Sequence, residues 1–242
     1  GSGLINLGIP PKGFIGIYSE NRPEWIHMID DSCLYGHAIM SLYDTFGLDS
    51  LAKIIESSKM DTIMVSTNNA PKLIKILKSN IYDLKNIILF TEAGRSYESL
   101  QESFQSCNLS FFTFDEILQK GEERQPIPKV EPDWIHYICY SSGTTGTPKG
   151  VIISHRSQCS NTLNCKWGLK FGEHTHHLSY LPLPHVFERI GISVTSCVGG
   201  RIGIFSGSIK RLTEDMQILQ PTHLSAVPRV INKIYENVME NI

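Results

Sequence analysis

Short apolar runs of strand length alternate with segments of helical periodicity from one end of the sequence to the other, and this rhythm limits the folds open to the chain. The runs at 14–18, 38–43, 62–66, 86–90 and 111–114 are near-continuously apolar rather than alternating, as expected for strands covered on both faces. Strands of that kind are parallel, and parallel neighbours need a long crossover, usually a helix. The intervening segments supply the helices. Trp25, Ile29 and Cys33 lie on one stripe behind Asn21, Pro23 and Glu24; Leu51, Ile54 and Ile55 do the same within 48–58. Asn69 and Pro71 open another helix, and weaker patterns follow at 96–105 and 115–120. The reading is an α/β fold with mainly parallel sheet flanked by helices.

From Gly121 to Asp133 the pattern breaks, with acidic residues set among Pro126, Pro128 and Pro132, which marks an exposed connector. Beyond it the rhythm resumes. Strands are expected at 134–140, 151–153, 177–181, 201–205 and 224–227. Helices are expected from Ser154 to about 167, over 186–197 and 213–219, and from Pro228 onward.

With 242 residues the chain can bury a substantial core. Its net charge of −2, with no basic stripe, argues against nucleic acid as a partner. The six cysteines form no C-x-x-C pair and read as reduced, mostly buried thiols of an intracellular protein. His174, His176 and His177 cluster beside Gly172 and Glu173; without supporting Cys/His spacing they read as a solvated loop, and no metal site is expected. No apolar run reaches the ~18 residues of a membrane span. Gly1-Ser2 resembles a cloning remnant, so an anchor ahead of it would be missing.

One stretch carries chemistry. Tyr140-Ser141-Ser142-Gly143-Thr144-Thr145-Gly146-Thr147-Pro148-Lys149-Gly150-Val151 places hydroxyls, glycines and one lysine between two apolar runs. Glycines let successive backbone N–H groups turn toward an anion, and the hydroxyls and Lys149 add donors and charge. Gly143 and Lys149 fall where a P-loop would have them, but Pro148 and Gly150 depart from that pattern, so the anion would be held by another arrangement. Residues 142–149 offer little burial to offset the entropy of one conformation. The expectation is an exposed Lys149 with no carboxylate partner, preceded by a buried strand at 134–140.

Ser141 to Gly150 resembles the signature of the adenylate-forming superfamily, which comprises acyl-CoA synthetases, luciferases and peptide-synthetase adenylation domains. Ser19-Glu20-Asn21-Arg22-Pro23-Glu24-Trp25 and Leu181-Pro182-Leu183-Pro184-His185-Val186-Phe187-Glu188-Arg189 are similar to the eukaryotic long-chain fatty acyl-CoA synthetases, and Leu219-Gln220-Pro221-Thr222 and Val227-Pro228-Arg229 extend the likeness.

That resemblance implies two packed, mainly parallel sheets flanked by helices, as an incomplete N-terminal domain over 1–242. Residues 38–172 would form one α/β half, 1–37 and 173–242 parts of the other, with the C-terminal lid absent. It implies a long-chain fatty acid–CoA ligase using ATP, Mg2+ and CoA, with fatty acid as substrate. The fragment alone would be inactive, since the family's magnesium, ribose and lid motifs are not found after Val151. Lys149 would be catalytic. Tyr140, Ser141, Ser142, Gly143, Thr144, Thr145, Gly146, Thr147, Lys149 and Gly150 would bind the nucleotide. His185, Phe187 and Arg189 would lie on the acyl side, although by local chemistry alone His185 also reads as a partly buried structural residue and Glu188 with Arg189 as a surface ion pair. A cytoplasmic setting, or peripheral attachment to the cytoplasmic face of a membrane, is implied. The remaining alternatives are another carboxylate-activating member of the superfamily, or a silent nucleotide-binding or interaction module.

Overall fold

A computed structural model describes residues 1–79, 82–141 and 148–239. It divides into two units, 1–160 and 161–242. The first opens with a short helix that the periodicity did not announce, α1 (Ser2–Asn6). It continues through β1 (Phe14–Tyr18), α2 (Pro23–Tyr35), β2 (Ala38–Leu42), α3 (Leu48–Ser57), β3 (Thr62–Ser66), α4 (Ala70–Ser79), β4 (Asn86–Phe90), α5 (Glu98–Gln105), β5 (Ser110–Thr113) and α6 (Phe114–Lys120) to β6 (Ile135–Ser141) and β7 (Lys149–Ser154). Helix α7 (His155–Gly168) runs across the division. The second unit holds β8 (His176–Ser179), α8 (Val186–Cys197), β9 (Arg201–Ile204), α9 (Leu212–Leu219) and α10 (Pro228–Met239).

The strands of the first unit make a seven-stranded sheet in the order β5-β4-β3-β1-β2-β6-β7, parallel except for the β6–β7 pair. Every residue of β2 and β3 is buried, as expected of near-continuous apolar runs. The pleat turns Tyr18, Met40, Leu42, Ile63, Val65, Ile87 and Leu89 into one cluster with Leu51 and Ile54 of α3, Leu73 and Ile76 of α4 and Phe104 of α5. The alternate positions, Ile15, Ile17, Ile39, Met64 and Ile88, are equally buried. Each such side chain contributes about 1.5–3 kcal/mol relative to exposure.

Helix α2 is fixed at both ends by identifiable residues. Trp25 is fully buried, and its indole N–H donates to the Ser19 carbonyl at 3.2 Å. Gly36 ends the helix at φ 74°, a left-handed conformation, and a Cβ there would meet the Trp134 ring at 2.8 Å. Thr113 closes β5 and starts α6 with a capping box: its hydroxyl accepts from the Glu116 N–H at 3.2 Å, and the Glu116 carboxylate accepts from the Thr113 N–H at 2.6 Å.

In the second unit β8 and β9 form a parallel pair, and Leu178, Tyr180, Leu181 and Leu212 make a small core. In place of a strand at 224–227, only a single bridge joins His223 to His177.

Several expectations are corrected here. Residues 1–37 do not stand apart from 38–160, because β1 lies between β3 and β2 in the large sheet, and the division falls after residue 160 rather than 172. An apolar run specifies a buried strand without specifying its neighbours, whereas a single α2 crossover makes β1 and β2 adjacent. His176 and His177 belong to β8, and His177 is buried, because the apolar residues that follow carry the strand into the core. The cysteines are not mostly buried: Cys33, Cys159 and Cys197 are exposed and Cys107, Cys139 and Cys165 half-buried.

Candidate functional site

The hydroxyl- and glycine-rich stretch joins β6 to β7, which pair antiparallel from Ile135↔Ser154 at the base to Ser141↔Lys149 at the mouth. The hairpin forms one edge of the large sheet. β6 is held by parallel pairing to β2, while β7 is the outermost strand. Tyr137 reinforces the base: its hydroxyl donates to Gln158 Oε1 of α7 at 3.0 Å. Ser154 caps α7, accepting from the Ser157 N–H at 3.2 Å.

Ser142, Gly143, Thr144, Thr145, Gly146 and Thr147 lie outside the described residues. The residues flanking them are placed. Tyr140 is half-buried against the core, and burial pushes its phenol up to about 12, so it remains a protonated donor at neutral pH. Ser141, Lys149 and Gly150 are exposed, and the Ser141 hydroxyl points at the Lys149 carbonyl, 3.5 Å away. Among the described residues Lys149 joins none of the ion pairs. Its charge therefore stands at the mouth of the hairpin with no carboxylate partner among the described residues. At Gly150 a Cβ would come within 2.8 Å of Ile138 Cγ2 and 3.3 Å of Tyr140 Cε1, so a side chain there would have to displace Ile138. The strand leading to the loop is less buried than its apolar sequence suggests. Only His136 and Tyr137 of β6 are fully buried, because an edge strand with exposed residues is its sole outer neighbour.

In the second unit, His185 is the N-cap of α8, exposed rather than partly buried, with its Nδ1 accepting from the Phe187 N–H at 3.1 Å. Phe187 is also exposed. The first turn of α8 thus brings these two together at the surface. Arg189 is not with them: it is fully buried, with Nε donating to the Leu183 carbonyl at 3.1 Å. The expected Glu188–Arg189 surface ion pair is accordingly corrected. Glu188 is fully buried too and meets His177 Nε2 at 2.9 Å. Both turn inward because α8 presents that face to the core, beside Ile192 and Val194. The His177–Glu188 contact was missed by sequence reasoning. Its only signal was an acidic residue inside an apolar helix face, eleven positions from a histidine inside an apolar run.

A family model described as AMP-binding enzyme matches residues 1–241. Among curated proteins, the chain is 35% identical over 243 residues to a fatty acyl-CoA synthetase B of Dictyostelium discoideum, covering 99% of this chain and 36% of that protein. It is 34% identical over 252 residues to human long-chain-fatty-acid–CoA ligase 1, covering 98% and 35%. The chain thus spans about a third of the length of the curated relatives it matches. Among solved structures, the adenylation domain of a carboxylate reductase from Mycobacterium chelonae superposes with TM-score 0.85 at 17% identity, over 98% of this chain and 38% of that one. A long-chain-fatty-acid-CoA ligase from Archaeoglobus fulgidus gives TM-score 0.78 at 20% identity, over 100% and 45%. These two likenesses concern the fold.

Proposed function

Because the chain belongs to the AMP-binding enzyme family, we propose that it carries the phosphate-handling part of a long-chain fatty acid–CoA ligase that works through an acyl-adenylate. A carboxylate is a poor electrophile with a poor leaving group. Its oxygen attacks the α-phosphorus of ATP, pyrophosphate departs, and the thiol of CoA then displaces AMP to give the thioester. Two anions must be brought together, so the site needs positioning and countercharge more than acid–base groups.

The observation that carries this reading is the exposed Lys149 at the mouth of the β6–β7 hairpin, which has no ion-pair partner among the described residues. Lys149, with the hydroxyls of Ser142, Thr144 and Thr145 and the loop N–H groups, would hold the β- and γ-phosphates as charge moves onto the departing pyrophosphate. Tyr140 and Ser141 on one side, and Gly143, Gly146, Thr147 and Gly150 along the loop, would shape the cradle. Magnesium carried with the nucleotide would supply the remaining countercharge. His185 and Phe187, exposed on α8, would serve the acyl side; Arg189, being buried, would act there only by holding the Leu181–Leu183 turn through its bond to the Leu183 carbonyl. Among the described residues no helix is long and apolar enough to cross a membrane. Access to a fatty acid would come from the cytoplasm or by peripheral attachment to a membrane's cytoplasmic face.

The test is ATP–pyrophosphate exchange in a full-length ligase that contains this chain, without CoA. Exchange that depends on a long-chain fatty acid, followed by thioester formation when CoA is added, supports the reading. Exchange stimulated equally by short aromatic or amino acids, or absent with every carboxylate, contradicts it.

A further inference from the structure

At the base of the same hairpin, three potential metal ligands from distant parts of the chain converge. Cys33 comes from the C-terminal half of α2, His136 from β6 and His155 from the first position of α7. One ligand atom from each lies within 4.8 Å of the other two. The imidazole rings of His136 and His155 are 4.7 Å apart between centroids, tilted by 39°. Both histidines are buried, while Cys33 is exposed and opens the cluster to solvent.

The surroundings prepare these groups for an ion. Ser32 Oγ lies 2.7 Å from His136 Nδ1 and donates to the His136 carbonyl at 3.1 Å. In the tautomer whose Nδ1–H donates to Ser32 Oγ, the imidazole lone pair is on Nε2. A ligating histidine is ordinarily oriented in this way, by donating its other nitrogen to a neighbour. His155 Nε2 is buried with no hydrogen-bond partner among the described residues, an arrangement that costs free energy unless something accepts its lone pair.

From this geometry we propose that Cys33, His136 and His155 form a three-ligand site for a borderline transition-metal ion of the Zn2+ class, with a fourth position open to water. Two imidazoles and a thiolate suit Zn2+ and disfavour Mg2+ or Ca2+, which prefer oxygen. Bonds of about 2.0–2.3 Å set ligand atoms closer than 4.8 Å, so closure asks for movements on the order of 1 Å. Binding releases the thiol proton and weakens on acidification. The ion would tie α2 to β6 and to the start of α7 at the base of the hairpin, at the opposite end from Lys149.

The test uses the untagged 242-residue chain, stripped with a chelator and titrated with Co2+, whose thiolate charge-transfer absorption reports a sulfur ligand. One Co2+ per chain, with the band displaced by Zn2+ and melting raised by about 3–6 °C at saturating Zn2+, is expected. Cys33→Ser, at an exposed position, should abolish the band. His155→Gln should weaken binding by about 10-fold or more. Cys159→Ser should leave the band unchanged. No band in the wild-type chain, a band that survives Cys33→Ser, or one lost with Cys159→Ser overturns the site. Should His155→Gln fail to fold, the two cysteine variants decide alone.

Discussion

The centre and the edge of the large sheet differ in how much they bury. In β2 and β3 every residue is buried, whereas Lys149, Gly150, Val151 and Ile152 of β7 are exposed. The central strands gain their stability from helices on both faces, and their polar side chains, Ser41, Thr62 and Ser66, are buried. The edge hairpin buries little and leaves Lys149 exposed, where the proposed function would have it meet an anion. On that proposal stability and chemistry are separated along one sheet, with β6 as the strand that joins them.

Substitutions can break this division. The largest effect should come from Trp25→Ala beneath the central strands, a loss of about 3–5 kcal/mol in chemical denaturation. A loss under 1 kcal/mol would mean the centre does not carry the unit. In the second unit, Glu188→Ala removes the carboxylate from a buried contact with His177, and a loss of about 3 kcal/mol is expected; near-neutrality would show that the pair can be dispensed with.

Alkaline titration sharpens the comparison, because it probes a tyrosine at each place. Burial, aided by the Asp44 charge, pushes Tyr18 in β1 up to about 12, and burial alone does the same for Tyr140 in the hairpin. Both exceed the ordinary phenol value near 10. The folded state then keeps protons that the unfolded chain has released, so stability is complete below pH 10 and declines as pH rises toward 12. Tyr18→Phe and Tyr140→Phe should each flatten that decline; a slope unchanged in both would contradict the shifts. The smallest effect is expected at Val151→Ser, within about 0.5 kcal/mol. A larger loss would show that the edge strand is structurally as important as the centre.

Much of the fold was legible because burial on both faces writes itself into continuous apolar runs: β1, β3 and β4 have the bounds that their runs imply. Sheet order was not legible, since periodicity does not name a strand's neighbour, and β1 was assigned to the wrong half. β7 begins at Lys149 rather than Val151 because pairing with Ser141, not hydrophobicity, sets its start. At the candidate site, Lys149 and its exposure followed from composition. The inward turn of Glu188 and Arg189 did not, because charged residues on an apolar stripe can face either way until the partner is known. Cys33, His136 and His155 share no spacing, being brought together only by the crossover that sets α2 beside β6.

The most direct measurement is Lys149→Ala in a full-length ligase containing this chain, with fatty-acid-dependent pyrophosphate exchange and melting temperature followed together. The division of labour predicts a fall in exchange of ~10²-fold or more, little change in melting, and a much smaller effect on thioester formation from preformed acyl-adenylate. Equal losses in both half-reactions, or a lowered melting temperature accompanying the lost exchange, would make Lys149 a structural residue and contradict it.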